Sequence, residues 1–186
     1  KGSFTISGRR TYADLFLKIS NDSTINQTKL YFYDLNVKAS YRLNDKDRIF
    51  LSGYFGKDAL GMKKVFGFDW GNTTGTLRWN HLFSAKLFSN TSLIFSNYNY
   101  NIYSEPAGVK VKIISRIQDY NIKQDFQYYL NSKNKIKFGF NSIFHRIIPG
   151  AITNESDSTI SELNLNNKHA LENAIYISHE YKPNNL

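Results

Sequence analysis

The stretch Tyr31-Phe-Tyr-Asp-Leu-Asn-Val-Lys-Ala-Ser-Tyr-Arg-Leu43 decides the fold. Its odd positions, Tyr31, Tyr33, Leu35, Val37, Ala39, Tyr41 and Leu43, are apolar or aromatic, whereas its even positions read Phe32, Asp34, Asn36, Lys38, Ser40 and Arg42. Side chains of a strand point alternately to two faces, so the segment shows one surface to something apolar and the other to water. A strand of a soluble protein is usually about 5–6 residues long, and a tilted membrane-crossing strand needs about 9–11. Tyr31 and Tyr41 lie ten steps apart on the apolar face. At roughly 3.3 Å per residue and a tilt near 45°, they bracket roughly 23 Å, close to an apolar band of about 25 Å edged by aromatic girdles.

The alternation returns along the chain. Ile49, Leu51, Gly53 and Phe55 oppose Ser52, Tyr54 and Gly56, and Thr73, Gly75, Leu77 and Trp79 oppose Asn72, Thr74, Thr76, Arg78 and Asn80. Tyr120, Ile122, Phe126, Tyr128 and Leu130 oppose Asp119, Asn121, Lys123, Asp125 and Gln127, with Gln124 the one break in the apolar row. Ile136, Phe138, Phe140 and Phe144 stand against Lys137, Asn141 and His145. The segment from Leu87 to Tyr103 begins cleanly with Thr91, Leu93 and Phe95 and loses phase at Asn97, which marks either a bulge or an exit from the apolar layer. In His169 to Tyr181 the reading favours Ile175 and Ile177 outward with Glu172 and Glu180 inward.

Tight polar turns at Asn44 to Asp47, Leu82 to Lys86 and Asn131 to Asn134 alternate with long excursions at Arg9 to Lys29, Lys57 to Gly71, Asn99 to Lys112 and Ile148 to Lys168. Short turns at one end and long loops at the other is the layout of bacterial outer-membrane barrels, with turns in the periplasm and loops outside. The expected fold is all-β, an antiparallel up-and-down transmembrane β-barrel segment of about eight strands. Its first strand, Ser3 to Gly8, runs outward, and residues 1–186 form part of one such domain. The expected location is the outer membrane of a Gram-negative bacterium.

Composition fits this layout. Mean hydropathy is −0.46, and no run approaches the length of an apolar transmembrane helix. Barrel strands escape hydropathy because half of each faces water. Aromatics reach 16%, with 13 Tyr and 14 Phe, an excess that girdles absorb; Tyr31, Tyr33, Tyr41, Trp79, Tyr120 and Tyr128 are the candidate lipid-facing girdle. No cysteine is present, which excludes disulfides and thiolate metal sites. The net charge of +9 spreads over polar faces and turns shared with acids. Without a basic stripe or binding motif it argues against nucleic acid. Local clusters, Lys63 with Lys64 and Lys110 with Lys112, fall in outer loops, where lipopolysaccharide phosphates are the natural partners.

Asp34, Asn36, Lys38, Arg42, Arg78, Asp119, Lys123, Asp125 and Lys137 are the candidate lumen-facing residues, for contact with solute or with a plug. The plainer reading is that they satisfy one another and water; Asp125 and Lys137, near diagonal neighbours across the turn at Asn131 to Asn134, favour it. His81, His145, His169 and His179 are scattered without metal-ligand spacing, so no metal, cofactor or enzymatic activity is expected. A hydrolase triad assembled from neighbouring strands is the exception that sequence does not reveal. Thr11 to Ser20 is the one helical segment, with Tyr12, Leu15, Phe16 and Ile19 on one side for packing on the barrel rim.

Several motifs, in this order and spacing, carry a resemblance: Ile6-Ser-Gly-Arg-Arg-Thr-Tyr12, Tyr31-Phe-Tyr-Asp-Leu-Asn36 leading to Asn44-Asp-Lys-Asp-Arg48, Leu51-Ser-Gly-Tyr-Phe-Gly56, Trp70-Gly-Asn-Thr-Thr-Gly-Thr-Leu-Arg-Trp-Asn80, Leu87-Phe-Ser-Asn90 and Lys137-Phe-Gly-Phe-Asn141. Over nearly its whole length the chain resembles the early barrel strands of TonB-dependent outer-membrane receptors from Bacteroidota. The resemblance implies a plugged barrel of about 22 strands, of which this chain is roughly the first third. Its plug domain and the segment that engages the TonB-type energy transducer lie elsewhere. It further implies import of a scarce nutrient of the siderophore, vitamin or glycan class, with outer-membrane lipid and a surface lipoprotein among the partners. The abrupt first strand and the turn-like Lys182 to Leu186 also read as a piece of something larger. Two rival architectures remain: a complete eight-stranded barrel acting as anchor, adhesin or enzyme, in which first and last strands pair, and a soluble β-sandwich of the carbohydrate-binding kind, in which apolar rows face each other.

Overall fold

The computed structural model describes residues 1–63, 65–105, 111–154, 163–164 and 166–183. Long strands follow one another in a meander: β1 (Gly2–Arg10), β2 (Thr28–Arg42), β3 (Asp47–Met62), β4 (Phe66–Leu82), β5 (Leu87–Ser104), β6 (Val111–Tyr129), β7 (Asn134–Asn154) and β9 (Lys168–Tyr181). A two-residue strand, β8 (Leu163–Asn164), and two short helices, α1 (Ala13–Lys18) and α2 (Ser23–Asn26), lie in the connections. Each strand pairs antiparallel with its neighbour in sequence, except that β7 carries both β8 and β9. The sheet is open: among the described residues β1 pairs only with β2, and β9 only with β7. The closure required of a complete eight-stranded barrel is therefore absent from this sheet.

The three tight turns share one construction. In each, one short polar side chain caps two backbone amides: Asn44 Oδ1 accepts from the N–H of Lys46 and Asp47 at 2.7 and 2.8 Å. Ser84 Oγ accepts from Lys86 and Leu87 at 3.2 and 3.1 Å, and Asn131 Oδ1 from Lys133 and Asn134 at 3.0 and 2.9 Å. Short polar side chains that mimic a backbone acceptor are what select Asn and Ser here. Residues 184–186 of the turn expected from Lys182 to Leu186 lie outside the described residues, as do Lys64, Lys110 and residues 155–162 of the last predicted loop.

Register decides which side chains share a face. Val37 stands opposite Gly53, which stands opposite Gly75, then Phe95, Tyr120, Phe144 and Leu171. The next such row towards the tight turns reads Ala39, Leu51, Leu77, Leu93, Ile122 and Ser142. Every apolar row expected from the sequence thus falls on one face, with Phe4 and Ile6 of β1 joining it opposite Ala39 and Val37. Its polar break is internally satisfied, since Thr91 Oγ1 donates to Gln124 at 2.6 Å. The apolar row of β2 centres on Val37, level with Phe144, whereas the row of β7 centres on Phe140. A slip of that size over five pairings, at roughly 3.3 Å per residue and 4.8 Å between strands, is a tilt of about 30°, near the roughly 35–45° of outer-membrane barrels.

Among the described residues no second layer covers this face. Ala59 is the only buried apolar residue among those described, while Ile175, Phe4 and Ile177 are 88%, 77% and 77% exposed. A β-sandwich, whose apolar rows must face one another across a core, is excluded by this single sheet.

Three local expectations are revised. Two of the loop-side excursions, Lys57 to Gly71 and Asn99 to Lys112, consist largely of strand: β3 runs to Met62 and β4 starts at Phe66, β5 runs to Ser104 and β6 starts at Val111. The phase change at Asn97 is an exit from the apolar layer, because β5 keeps unbroken register with both neighbours there. The bulge lies elsewhere: Ile114 and Arg116 face Ala151 and Ile148, so β7 holds an extra residue at Pro149-Gly150. Pro149 has no N–H to lose from the ladder, Gly150 takes φ +145°, and Ser115 Oγ donates to the Ile148 carbonyl at 2.9 Å. Finally, α1 contacts β2, yet it buries Asp14, ion-paired to Arg10 at 3.1 Å, and leaves Phe16 and Ile19 75% and 77% exposed. The apolar side of that helix is not what packs on the rim.

Candidate functional site

The polar face carries the candidate residues. Asp34, Asn36, Lys38 and Arg42 lie along β2, Arg78 on β4, Asp119, Lys123 and Asp125 on β6 and Lys137 on β7. Alternation and register put all of them on the face opposite Val37 and Leu77. The girdle candidates Tyr31, Tyr33, Tyr41, Trp79, Tyr120 and Tyr128 all fall on the apolar face. Tyr31 stacks on Tyr33 at 6.2 Å, Tyr33 meets Phe55 at 6.0 Å, and Phe95 meets Tyr120 at 5.3 Å.

Most charges on the polar face are paired. Asp34 binds Arg9 and accepts from Asn36 Nδ2 at 3.3 Å, Arg42 meets Asp45 at 2.7 Å, and Arg78 Nε donates to Ser92 Oγ at 3.4 Å. Asp125 and Lys137 are diagonal neighbours as the turn dictates, but they do not pair with each other. Asp125 takes Lys123 at 3.5 Å and the Tyr176 hydroxyl at 2.6 Å, while Lys137 reaches Glu180 at 3.6 Å. The ring of Tyr176 lies against Gly139, its cross-strand partner, and this geometry carries its hydroxyl to Asp125. His145 sits between carboxylates, with Nδ1 2.7 Å from Asp119 and Nε2 3.8 Å from Glu172.

Towards the loop end of β3 to β5 the chemistry of the two faces exchanges. On the parity that is apolar nearer the turns now stand Lys57 and Asp69, ion-paired at 3.3 Å, with Asn99 and with Asn101, which donates to Asp69 at 2.9 Å. On the polar parity stand Leu60, Phe68, Trp70, Tyr98, Tyr100 and Ile102. Phe68 meets Trp70 at 4.8 Å and Tyr100 at 6.3 Å. Cross-strand pairing sets Trp70 between Asp58 and Tyr100, and the Arg9 guanidinium lies 5.4 Å over Phe32, itself opposite Asp58. The result is an aromatic wall with a carboxylate in it.

This wall is not among the residues expected from the sequence, where Lys57 to Gly71 and Asn99 to Lys112 read as long loops. The signal was present in the even-numbered run Phe66, Phe68, Trp70 and again in Tyr98, Tyr100, Ile102, a dyad of opposite phase to the one followed below it.

At the turn end, Asp47 is held from three sides. It accepts from Trp79 Nε1 at 2.8 Å and from Asn44 Nδ2 at 2.8 Å, and lies 2.6 Å from His81 Nδ1. These hydrogen bonds, the one from His81 foremost, keep its carboxyl below the usual carboxylate range.

No family model and no curated protein matches the sequence. Among solved structures, the crystal structure of BauA, the ferric preacinetobactin receptor from Acinetobacter baumannii, matches with a TM-score of 0.52 at 11% identity, over 98% of this chain and 32% of that one. The chain thus spans about a third of the length of the receptor it matches. At that identity the likeness concerns the fold: nearly the whole meander of this chain is laid out as a part of that receptor is.

Proposed function

We propose that this chain forms part of the wall of a TonB-dependent outer-membrane receptor that binds and imports a scarce nutrient, a siderophore, vitamin or glycan. The observation that carries the reading is the apolar face of the turn-side half, which continues through seven consecutive antiparallel pairings with Gln124 as its polar break and is uncovered by any second layer among the described residues. Contiguous exposed apolar surface on that scale marks a surface covered by a membrane or a partner, and the open edges at β1 and β9 call for further strands to close a barrel, as a bilayer requires. The fold shared with a receptor supports the same assignment.

In this reading the apolar face meets lipid and the polar face meets the lumen and its plug. The aromatic wall of Phe68, Trp70 and Tyr100, above the bilayer on the lumen side, is where solute is first held, since stacked rings give broad contact at low conformational cost. Energy for release inward comes through a plug and a TonB-type transducer.

The test uses the complete gene product. Uptake of ferric siderophores, cobalamin and oligosaccharides is measured in cells with and without a protonophore, and binding is measured on purified protein. One solute is expected to accumulate only in energised cells. Trp70→Ala and Tyr100→Ala are each expected to weaken its binding by about fivefold to thirtyfold with folding unchanged. Uptake that ignores the protonophore would make the barrel a passive pore and overturn the receptor reading.

A further inference from the structure

The three tight turns repeat more than a capping device. Aligned on the cap residue they read Leu43-Asn44-Asp45-Lys46, Phe83-Ser84-Ala85-Lys86 and Leu130-Asn131-Ser132-Lys133: an apolar residue, a cap, a variable residue and a lysine. The backbone holds each lysine in the same way. Its N–H is bound by the cap, and its carbonyl accepts from the chain two strands on, Leu82 to Lys46 at 2.9 Å, Tyr129 to Lys86 at 2.8 Å and Lys182 to Lys133 at 2.8 Å. Equivalent backbones place the three Cβ atoms equivalently, one per hairpin, about 10 Å apart along the rim at two strand spacings.

These lysines are exposed, and none has a carboxylate partner among the described residues. The acids nearby are engaged: Asp45 by Arg42, Asp47 by His81, Trp79 and Asn44, and Glu180 by Lys135, Lys137 and Lys182. Lys86 Nζ reaches only the Leu130 carbonyl, at 3.4 Å. Beside them Leu43, Phe83 and Leu130, 54%, 52% and 42% exposed, prolong the apolar rows of Tyr41, His81 and Tyr128 by one step. Each turn therefore offers an apolar side chain next to an ammonium that no carboxylate pairs among the described residues, the combination that suits a bilayer surface carrying anionic phosphate.

We propose that Lys46, Lys86 and Lys133 form a cationic rim that binds the phosphates of acidic phospholipids in the leaflet met by the short turns. The inference rests on the membrane reading above. It is tested with the complete protein and its Lys46→Gln, Lys86→Gln, Lys133→Gln triple variant, refolded into phosphatidylcholine vesicles with and without phosphatidylglycerol, with urea unfolding as the readout. Both proteins are expected to be equally stable in phosphatidylcholine. Phosphatidylglycerol should raise the folding equilibrium constant of the unsubstituted protein and lose about fivefold of that effect per lysine removed, in a manner that salt suppresses. Replacing the polar-face residues Lys38 and Lys123 by Gln should leave the lipid effect intact. An equal response to phosphatidylglycerol in the triple variant overturns the rim and leaves the membrane reading standing; failure of the unsubstituted protein to insert into either vesicle overturns both.

Discussion

The turn-side half of the sheet and the loop-side ends of β3 to β5 are built from the same strands in unbroken register, yet their faces have opposite chemistry. Near the turns Leu51, Leu77 and Leu93 share a face with Phe95 and Tyr120, and Ser52, Thr76 and Arg78 lie behind them. Near the loops the first face carries Lys57, Asp69, Asn99 and Asn101, and the second carries Phe68, Trp70 and Tyr100. A strand's pleat cannot change which residues point which way without a bulge, and none interrupts β3, β4 or β5 here. What changes is the surroundings. On the receptor reading proposed above, the exchange is the height at which lipid gives way to water outside, and the second face above it is where a solute would be held.

The largest effects should come from charging the first face on either side of that height. Leu77→Arg, in the apolar rows, is expected to destabilise the protein in vesicles by about 2–4 kcal/mol, and Asn101→Arg, on the same face above the exchange, by about 1 kcal/mol or less. Urea titrations on the two variants measure the difference; equal costs would abolish the distinction between the halves.

A smaller contrast concerns glycines that seat tyrosine rings on the wet face of each half. At Gly139 a Cβ would lie 2.2 Å from the Gln124 carbonyl oxygen, a backbone atom, while at Gly67 the three atoms nearest to it would all belong to the Tyr103 side chain. Gly139→Ala should therefore cost about 1–3 kcal/mol. Gly67→Ala should cost less, because a side chain can swing aside. Thermal or urea unfolding of the two variants resolves the order, and a costlier Gly67→Ala would show the mouth to be the more rigid half.

The smallest effect is one of pH at the turn end. The folded-state pKa of Asp47 lies below its ordinary value of 3.8, so its stabilising contribution is complete above that value and is lost as pH falls through the lower, folded one. Stability of the unsubstituted protein and of Asp47→Asn, followed from neutral pH downward, should differ by a constant amount until about pH 4 and converge below it. A gap that persists into stronger acid would mean that the carboxylate does not anchor Trp79 and His81.

How much of this was legible in the sequence follows the same division. Between the girdles one alternation repeats from strand to strand, so the faces of Asp34, Lys38, Arg78 and Asp125 could be assigned from residue type alone. Ion-pair partners could not be read: Asp125 chooses Lys123 and Tyr176 over Lys137 because Gly139, its neighbour on β7, lets the Tyr176 ring cross to it. The aromatic wall lies among asparagines that read as loop. β5 nevertheless runs through Asn97, Asn99 and Asn101 to Ser104, and the rings of Tyr98 and Tyr100 between them form a dyad of their own. The bulge at Pro149-Gly150 has a signal in its proline and glycine side by side, but that stretch reads as loop; of the two readings open at Asn97, a bulge or an exit from the apolar layer, unbroken register leaves the exit.

The exchange of faces is tested most directly by cysteine scanning along β5 in the complete protein, reconstituted in bilayers; the chain's lack of native cysteine makes each introduced thiol unique within it. A fluorophore on each of positions 91 to 102 is quenched in turn by brominated lipid and by aqueous iodide. Lipid quenching at 93 and 95, none at 94 and 96, and iodide quenching at 99 and 101 are predicted. Lipid quenching that continued through 99 and 101, or iodide access at 93 and 95 equal to that at 94 and 96, would contradict the assignment of the apolar face to lipid and of the aromatic wall to the mouth.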